Sequence, residues 1–390
     1  MLWLAFLISL SGILIISRKN LSLGLVSGSL ILGLMTLSPA RLLDRIIFTI
    51  TDPSIILLTL AMGIIPMIGG TLKESGQIDN LVENLRISRK YLLATSAALM
   101  GLLPMPGGAL LSAPILEKAG QDIPGELNAV INNWFRHIFI LIYPLAPALI
   151  VAAEICDLDV YRAILYILPG AVFAYILGHL FFLRHINGRL TYTGQFSLKA
   201  LSVPLLIILS APVLDFILKK ALGMGSLATL IGVVTGFTLS IALSRKKLDL
   251  KDLTRRMKPW NFALIILGMF LYLHIFQASD TSTVIAELPL PPLMLAIIAG
   301  FLLGLLTGRV QLPASIVLPI YLGAQSQITP FIFALIYIAI YFGYIISPVH
   351  PCLVVTCEYF HVSIREMIKR MVLPTAIIIA AVIILALLFG

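Results

Sequence analysis

Two stretches of the chain place paired prolines beside residues able to handle charge. They are Pro144-Leu-Ala-Pro147, continuing to Glu154, and Pro348-Val-His-Pro351, continuing to Glu358. Over 11 positions the two agree at five, with one constant offset of 204 residues from Pro144 to Pro348. Prolines remove backbone hydrogen bonds and restrict the residue before them, so each stretch is expected to be two half-helices around an unwound centre. One such pair reads as an incidental kink. The same doublet twice, with a glutamate at the same distance, argues for a shared purpose. His350 falls inside the second centre, Ser347 and Thr356 flank it, and Asn132, Asn133, Arg136 and His137 precede the first.

Arg136 stands within an apolar run and Arg309 in the break between two short ones, and an arginine near a bilayer centre costs at least about 2.5–3.5 kcal/mol. A planar guanidinium repays such a cost by gripping carboxylate or phosphate bidentately. The competing reading pairs them with backbone carbonyls or with a distant carboxylate such as Asp52. Pro106-Gly107-Gly108 and the stretch Gln311 to Ser315 each interrupt a run and restart a helix, and the N–H groups of a helix start attract anions. At the second of these, Pro313 is expected at the first helical position, with Thr307, Gln311 and Ser315 as side-chain donors. The expected anion site is therefore Pro106, Gly107, Gly108, Arg136, Pro144, Pro147, Arg309, Gln311, Ser315, Ser347, His350 and Thr356. His137 and His350 can carry a proton near neutral pH, or serve only as hydrogen-bonded packing. With Asn132, Asn133 and Ser347 they are the coupling-ion candidates. No His-Glu-x-x-His, Gly-x-Ser-x-Gly or P-loop pattern occurs, so no enzyme, catalytic residue or cofactor is expected, sodium as a coupling ion apart. Cys156, Cys352 and Cys357 form no metal-ligand pattern, and no metal site is expected.

The elements that must position these residues follow from composition. The 390 residues are 59% hydrophobic and 12% charged, against about 45–50% and roughly 25% in soluble domains. Apolar runs recur along the whole chain, most of them long enough as helices to cross a hydrocarbon core of about 30 Å. An all-α polytopic membrane protein is expected. The net charge of +9 is read as the basic excess of cytoplasmic loops and not as a nucleic-acid surface. The basic stretch from Arg245 to Lys258 reads as an amphipathic connector on the membrane surface. The first run, Leu2 to Ile16, has Arg18-Lys19 after it and no basic residue before it, the reverse of a secretory signal peptide. It is expected to remain as a helix with its N-terminus outside.

The runs divide into two repeats, 1–195 and 196–390. The first contains 2–17, 22–38, 47–69, a short pair at 91–103 and 107–119, the proline-broken 129–153, and 161–183. The second contains 200–218, 225–243, 260–278, a short pair at 292–306 and 312–324, the broken 328–356, and 371–389. Each short leg is about 13 residues, roughly 20 Å of helix. If each pair is a re-entrant hairpin, 20 of the 27 Lys and Arg lie on one side and five on the other, with Arg136 and Arg309 in the membrane. If each pair instead crosses, the same residues split 12 against 13. The positive-inside rule selects the hairpins. Five spans and a hairpin per repeat turn the second repeat upside down. The hairpin at 91–119 then enters from the cytoplasm, that at 292–324 enters from outside, and both termini lie outside. Inverted repeats with discontinuous helices at the midplane are a transporter architecture.

This layout resembles the ion transporter superfamily, which includes divalent-anion/sodium symporters and citrate, gluconate and arsenite permeases. More narrowly, Leu103-Pro-Met-Pro-Gly-Gly-Ala-Leu-Leu-Ser-Ala-Pro114 and Tyr344-Ile-Ile-Ser-Pro-Val-His-Pro-Cys352 resemble an uncharacterised prokaryotic integral-membrane family within it. The resemblance implies a substrate site at the hairpin tips Pro106 to Ala109 and Gln311 to Ser315 and at the unwound centres Pro144 to Pro147 and Ser347 to Pro351. It also implies a homodimeric scaffold and an elevator-like movement of the hairpin domain. The Ser-Asn-Thr triplet that the dicarboxylate branch carries at each tip is missing here, and Arg309 is the substitute source of positive charge. The expected function is secondary transport of a small, carboxylate-like organic anion across the cell membrane, by alternating access and coupled to protons or sodium, with membrane lipids as the other partner. The alternative is an intramembrane protein that flips or handles an anionic lipid phosphate. A purely structural subunit leaves the two arginines and both broken helices without a purpose.

Overall fold

The structure, a computed structural model, describes residues 2–103, 108–188, 195–244, 246–281 and 291–389. Every regular element among them is helical. The first half contains α1 (Leu2–Ser17), α2 (Leu21–Thr36), α3 (Pro39–Thr51), α4 (Pro53–Glu74), α5 (Gln77–Glu83), α6 (Arg89–Gly101), α7 (Ala109–Ala119), α8 (Gly125–Leu141), α9 (Pro147–Ile155) and α10 (Val160–Gly178), the last running into a π turn at His179–Leu183. The second contains α11 (Leu198–Leu222), α12 (Ser226–Ala242), α13 (Leu250–Met257), α14 (Pro259–Ala278), α15 (Pro292–Thr307), α16 (Gln311–Gln325), α17 (Pro330–Ile345), α18 (Pro351–Phe360) and α19 (Ile364–Phe389). Five of these are long and apolar enough to cross a membrane by themselves: α4, α10 with its π turn, α11, α14 and α19.

The helix starts are written in the sequence. Asn20, Ser38, Asp52, Asp159, Ser197, Asp249 and Thr329 each accept a hydrogen bond from a backbone N–H in the first turn that follows. This satisfies donors that would otherwise be orphaned in hydrocarbon. Proline occupies the first turn of α3, α4, α9, α14, α15, α17 and α18, where its missing N–H costs nothing.

Three boundaries differ from the sequence reading. The run expected at 47–69 belongs to two helices, because Asp52 ends α3 and caps α4, with Pro53 as the first residue of α4. Helix α3 is amphipathic, and its apolar face merged with the span that follows. The second hairpin's legs, α15 and α16, are 16 and 15 residues, against 15 and 13 in the runs expected at 292–306 and 312–324. Its second leg begins at Gln311, so Pro313 stands inside the first turn and not at its first residue. The basic stretch before α14 does form the short amphipathic helix α13.

Helices α1, α2, α4, α11, α12 and α14 pack as one group, with α2 and α4 against α14 and α4 against α12. A second group gathers around α8 and α17. Hairpin legs α6 and α7 lie on α8, α15 lies on α17, and α10 and α19 contact both. Glycines let three of these backbones touch. A Cβ on Gly101 would sit 2.2 Å from the Arg136 carbonyl oxygen, one on Gly304 2.3 Å from that of Ile340, and one on Gly343 2.1 Å from that of Phe301. Hence α6 lies on α8, and α15 on α17, at backbone contact distance.

Candidate functional site

The proline doublets do break their helices, and in the same way. Helix α8 ends at Leu141 and α9 begins at Pro147, while α17 ends at Ile345 and α18 begins at Pro351. Each break is thus five residues, 142–146 and 346–350. The second proline of each doublet opens the new half-helix, its fixed φ suiting a first helical residue. The halves then interlock. Helix α18 packs against α7 and α8, and α16 packs against α9 and α14.

Around this crossing the buried side chains are polar to an unusual degree. Asn132, Asn133, His137, Ser315, Ser347, His350 and Thr356 have no exposed surface, and Arg136 keeps 3%. Asn132 is the hub of one cluster. Its Oδ1 accepts from Ser112 Oγ at 2.5 Å, and its Nδ2 donates to the Ala109 carbonyl and to Thr356 Oγ1, both at 3.2 Å. Those three bonds tie α8 to the start of α7 and to α18. Asn133 Nδ2 donates to the Ile345 carbonyl at 3.1 Å, holding α8 against the end of α17. Its Oδ1 has no partner among the described residues.

Arg136 reaches the first hairpin. Its Nη1 donates to the Gly108 carbonyl at 2.9 Å, while Nε has no partner and no carboxylate pairs with the side chain among the described residues. One carbonyl is a small return for burying a guanidinium, and an anion in reach of the free donors would complete it. Pro106 and Gly107 lie outside the described residues, so the arginine is placed against Gly108 alone. Arg309 is half-buried at the second tip. Its neighbour Gly308 has φ +60, and a Cβ there would lie 2.8 Å from the backbone of Val349 and His350. The tip therefore presses against the second break, and only glycine fits the contact. Ser347 Oγ donates to the Leu305 carbonyl at 2.6 Å and accepts from the Val349 N–H at 3.3 Å, pinning the break to α15. Ser315 donates only to Leu312 in its own helix, at 2.9 Å. Pro144 lies in the first break and Pro147 opens α9. No hydrogen bond ties Gln311 to the cluster among the described residues.

A second cluster joins the two histidines. His137 Nδ1 donates to the Asn133 carbonyl at 2.5 Å, and its Nε2 lies 3.2 Å from the Tyr344 hydroxyl. The His137 and His350 rings are 4.6 Å apart, and the Tyr344 and His350 rings 4.0 Å. Tyr341 donates to the His137 carbonyl at 2.8 Å. Four residues here escaped the sequence reading as members of the site: Ser112, Tyr341, Tyr344 and Cys352, whose Sγ lies within 4.8 Å of a ring nitrogen of each histidine. Cys352 carried a signal, since it lies two residues after His350. Ser112 and the tyrosines carried none, because each needs a partner roughly 20 or 200 residues away.

A cleft of about 610 Å³ opens where the end of α9 meets α14 and the second hairpin, lined by Cys156, Asp157, Gln277, Ser326 and Gln327 among others. It lies between the two helix groups and leads from one end of the bundle.

Residues 2–389 match the family described as "Protein of unknown function (DUF401)". The chain belongs to that family. A search of curated proteins gives no match. Among solved structures, the crystal structure of the YdaH transporter of Alcanivorax borkumensis, described as having an unusual topology, is similar over 98% of this chain and 97% of that one, at 12% identity and a TM-score of 0.56. At that identity the likeness is one of fold, and it runs through both helix groups. The DUF401 chain is a multi-pass helical membrane protein with a transporter-like fold.

Proposed function

We propose that this DUF401 protein is a secondary active transporter of a small, carboxylate-like organic anion, working by alternating access on a proton or sodium gradient. The observation that carries the reading is Arg136, 97% buried at the meeting of α8 with the first hairpin and bonded only to the Gly108 carbonyl among the described residues. A buried cation without a counter-charge is costly to keep, and an anionic substrate is the group that offsets it. Arg309 at the other tip supplies a second positive charge. Support for movement comes from two helices broken over equal lengths, since unwound backbone at membrane depth belongs where it lines a cavity. In this reading a soluble anion approaches by way of the cleft at the end of α9 and the second hairpin.

In this reading residues 1–195 and 196–390 are two inverted repeats, and the chain sits in the cell membrane with both termini outside. It is a member of the ion transporter superfamily and works as a homodimer whose first helix group forms the scaffold. Purified protein screened by thermal unfolding against organic anions, with and without sodium, is expected to show stabilisation by a carboxylate, as binding to the folded state requires. Proteoliposomes are then expected to accumulate that anion under an imposed proton or sodium gradient. Stabilisation by no small anion, together with scrambling of fluorescent anionic lipid, would replace this reading with lipid handling.

A further inference from the structure

We infer that His137, His350 and Cys352 form a binding site for a transition-metal ion of the zinc class. One ligand atom from each of the three lies within 4.8 Å of the others. His350 and Cys352 lie two residues apart, at the end of the second break and in the first turn of α18, and the fold brings His137 of α8 to them. Two imidazoles and a thiolate suit zinc, or a softer ion such as copper(I), and do not suit sodium, calcium or magnesium, which take oxygen ligands.

Three observations point the donors at an ion. Neither His350 ring nitrogen makes a hydrogen bond of normal geometry among the described residues, although the residue is completely buried and the Ile345 carbonyl is near. A buried imidazole left this way forfeits bonds that it made with water, and a metal bond restores one. His137 is already oriented as metal-bound histidines are, with Nδ1–H held by the Asn133 carbonyl. That bond fixes the tautomer and makes Nε2, which faces the Tyr344 hydroxyl, the nitrogen with a lone pair for coordination. Cys352 is the partly exposed member, so its thiol is the donor least enclosed by protein. In tetrahedral coordination, with metal–nitrogen distances of about 2.0–2.1 Å and metal–sulfur of about 2.3 Å, the donors must draw together by roughly 1 Å. Small side-chain rotations supply that movement. The Tyr344 hydroxyl, 3.2 Å from His137 Nε2, would be displaced from that nitrogen and left beside the ion. The fourth position stays open to water, to this hydroxyl or to an anion. Binding releases the thiol proton to solvent, and no redox change is involved.

Zinc or cobalt(II) binding to the full chain in detergent, with any affinity tag removed, tests the inference without reading transport, so its outcome is separate from that of the anion reading. Equilibrium dialysis is expected to leave one zinc ion per chain, and cobalt(II) is expected to give a thiolate-to-cobalt charge-transfer absorption. Cys352→Ser should abolish that band and weaken zinc binding more than about 100-fold, beyond the effect typical of losing a residue that only orients a ligand. His137→Gln should weaken binding similarly, and Cys156→Ser should change neither. The wild-type cobalt spectrum needs no variant to fold. Absence of the thiolate band, or zinc held equally well by Cys352→Ser, overturns the site.

Discussion

The burden on Arg136 is clearest when set beside Asp215, another buried charge. The Asp215 carboxylate has no exposed surface, yet it accepts from Tyr161 and Thr229 hydroxyls at 2.5 and 2.7 Å and pairs with Lys219 at 3.1 Å. Such a satisfied group is structural, and it fastens α10 and α12 to α11. Asp215→Ala is expected to cost about 3–5 kcal/mol, the usual penalty for orphaning a buried partner, read as a lowered unfolding midpoint with anion affinity intact in protein that remains folded. Arg136 has the opposite profile, with a free Nε and one carbonyl. Arg136→Ala and Arg309→Ala are therefore each expected to leave the chain folded and to weaken anion binding by about tenfold or more, the loss of one charged hydrogen bond of about 1.5–3 kcal/mol. Lysine should rescue only in part, since a point charge cannot reproduce the fork. Wild-type affinity in both alanine variants would make the arginines structural. Sequence alone singled out Arg136, because an arginine in an apolar run stands out without any partner being known. It passed over Asp215, which sits near the end of a run and reads there as an ordinary interfacial acid.

At the scale of elements, what the sequence makes legible is what chain-local chemistry decides. The proline doublets placed both breaks to within about two residues, at 142–146 and 346–350 where Pro144 to Pro147 and Ser347 to Pro351 were expected, and the order of spans and hairpins follows from where apolar runs stop. What stayed hidden was decided by packing. The apolar face of α3 looked like part of α4 because hydropathy does not record a change of helix axis, and only Asp52-Pro53 marks the corner. Likewise the sequence gives no sign that Gly101 and Gly304 do equivalent work, although each meets a carbonyl of the helix its hairpin leg rests on. Here the glycine is demanded by approach and not by dihedral angle. Gly304→Val is expected to push α15 off α17 and lower stability by about 1–3 kcal/mol, the common cost of overpacking. It should also displace the tip that presses on the second break, so anion affinity is expected to fall with stability in thermal unfolding and binding measurements. A variant with unchanged midpoint and affinity would show that the contact yields freely.

For the whole molecule the decisive question is which way each half faces, because the proposed mechanism needs the two hairpins to enter from opposite sides. The two halves share an order of elements, two helices, a short amphipathic helix, a long helix, a hairpin, a broken helix and a last span, with α5 additional in the first half among the described residues. Shared order is equally compatible with parallel repeats, so the direction rests on charge. A re-entrant first hairpin returns the chain to the side it left, which places the residues near 70–90 and those at 120–127 on one face. The structure brings these two stretches together, since Arg89 Nε donates to the Ala119 carbonyl at 2.7 Å and its Nη1 to Asp122 at 3.0 Å. A crossing leg would instead have to carry residues 120–127 through about 30 Å of hydrocarbon. Single cysteines in the two stretches of a cysteine-light variant are therefore expected to behave alike towards an impermeant maleimide, both protected in intact cells and both reactive once the cells are opened, if the excess of Lys and Arg marks the cytoplasmic side. Cysteines in 326–329 are expected to react from the opposite side, because the second hairpin must open outward for the repeat to be inverted. Labelling of 70–90 and 120–127 from different faces would remove the hairpin, and labelling of 326–329 from the same face as both would remove the inversion. Either result would leave alternating access in this chain without its structural basis.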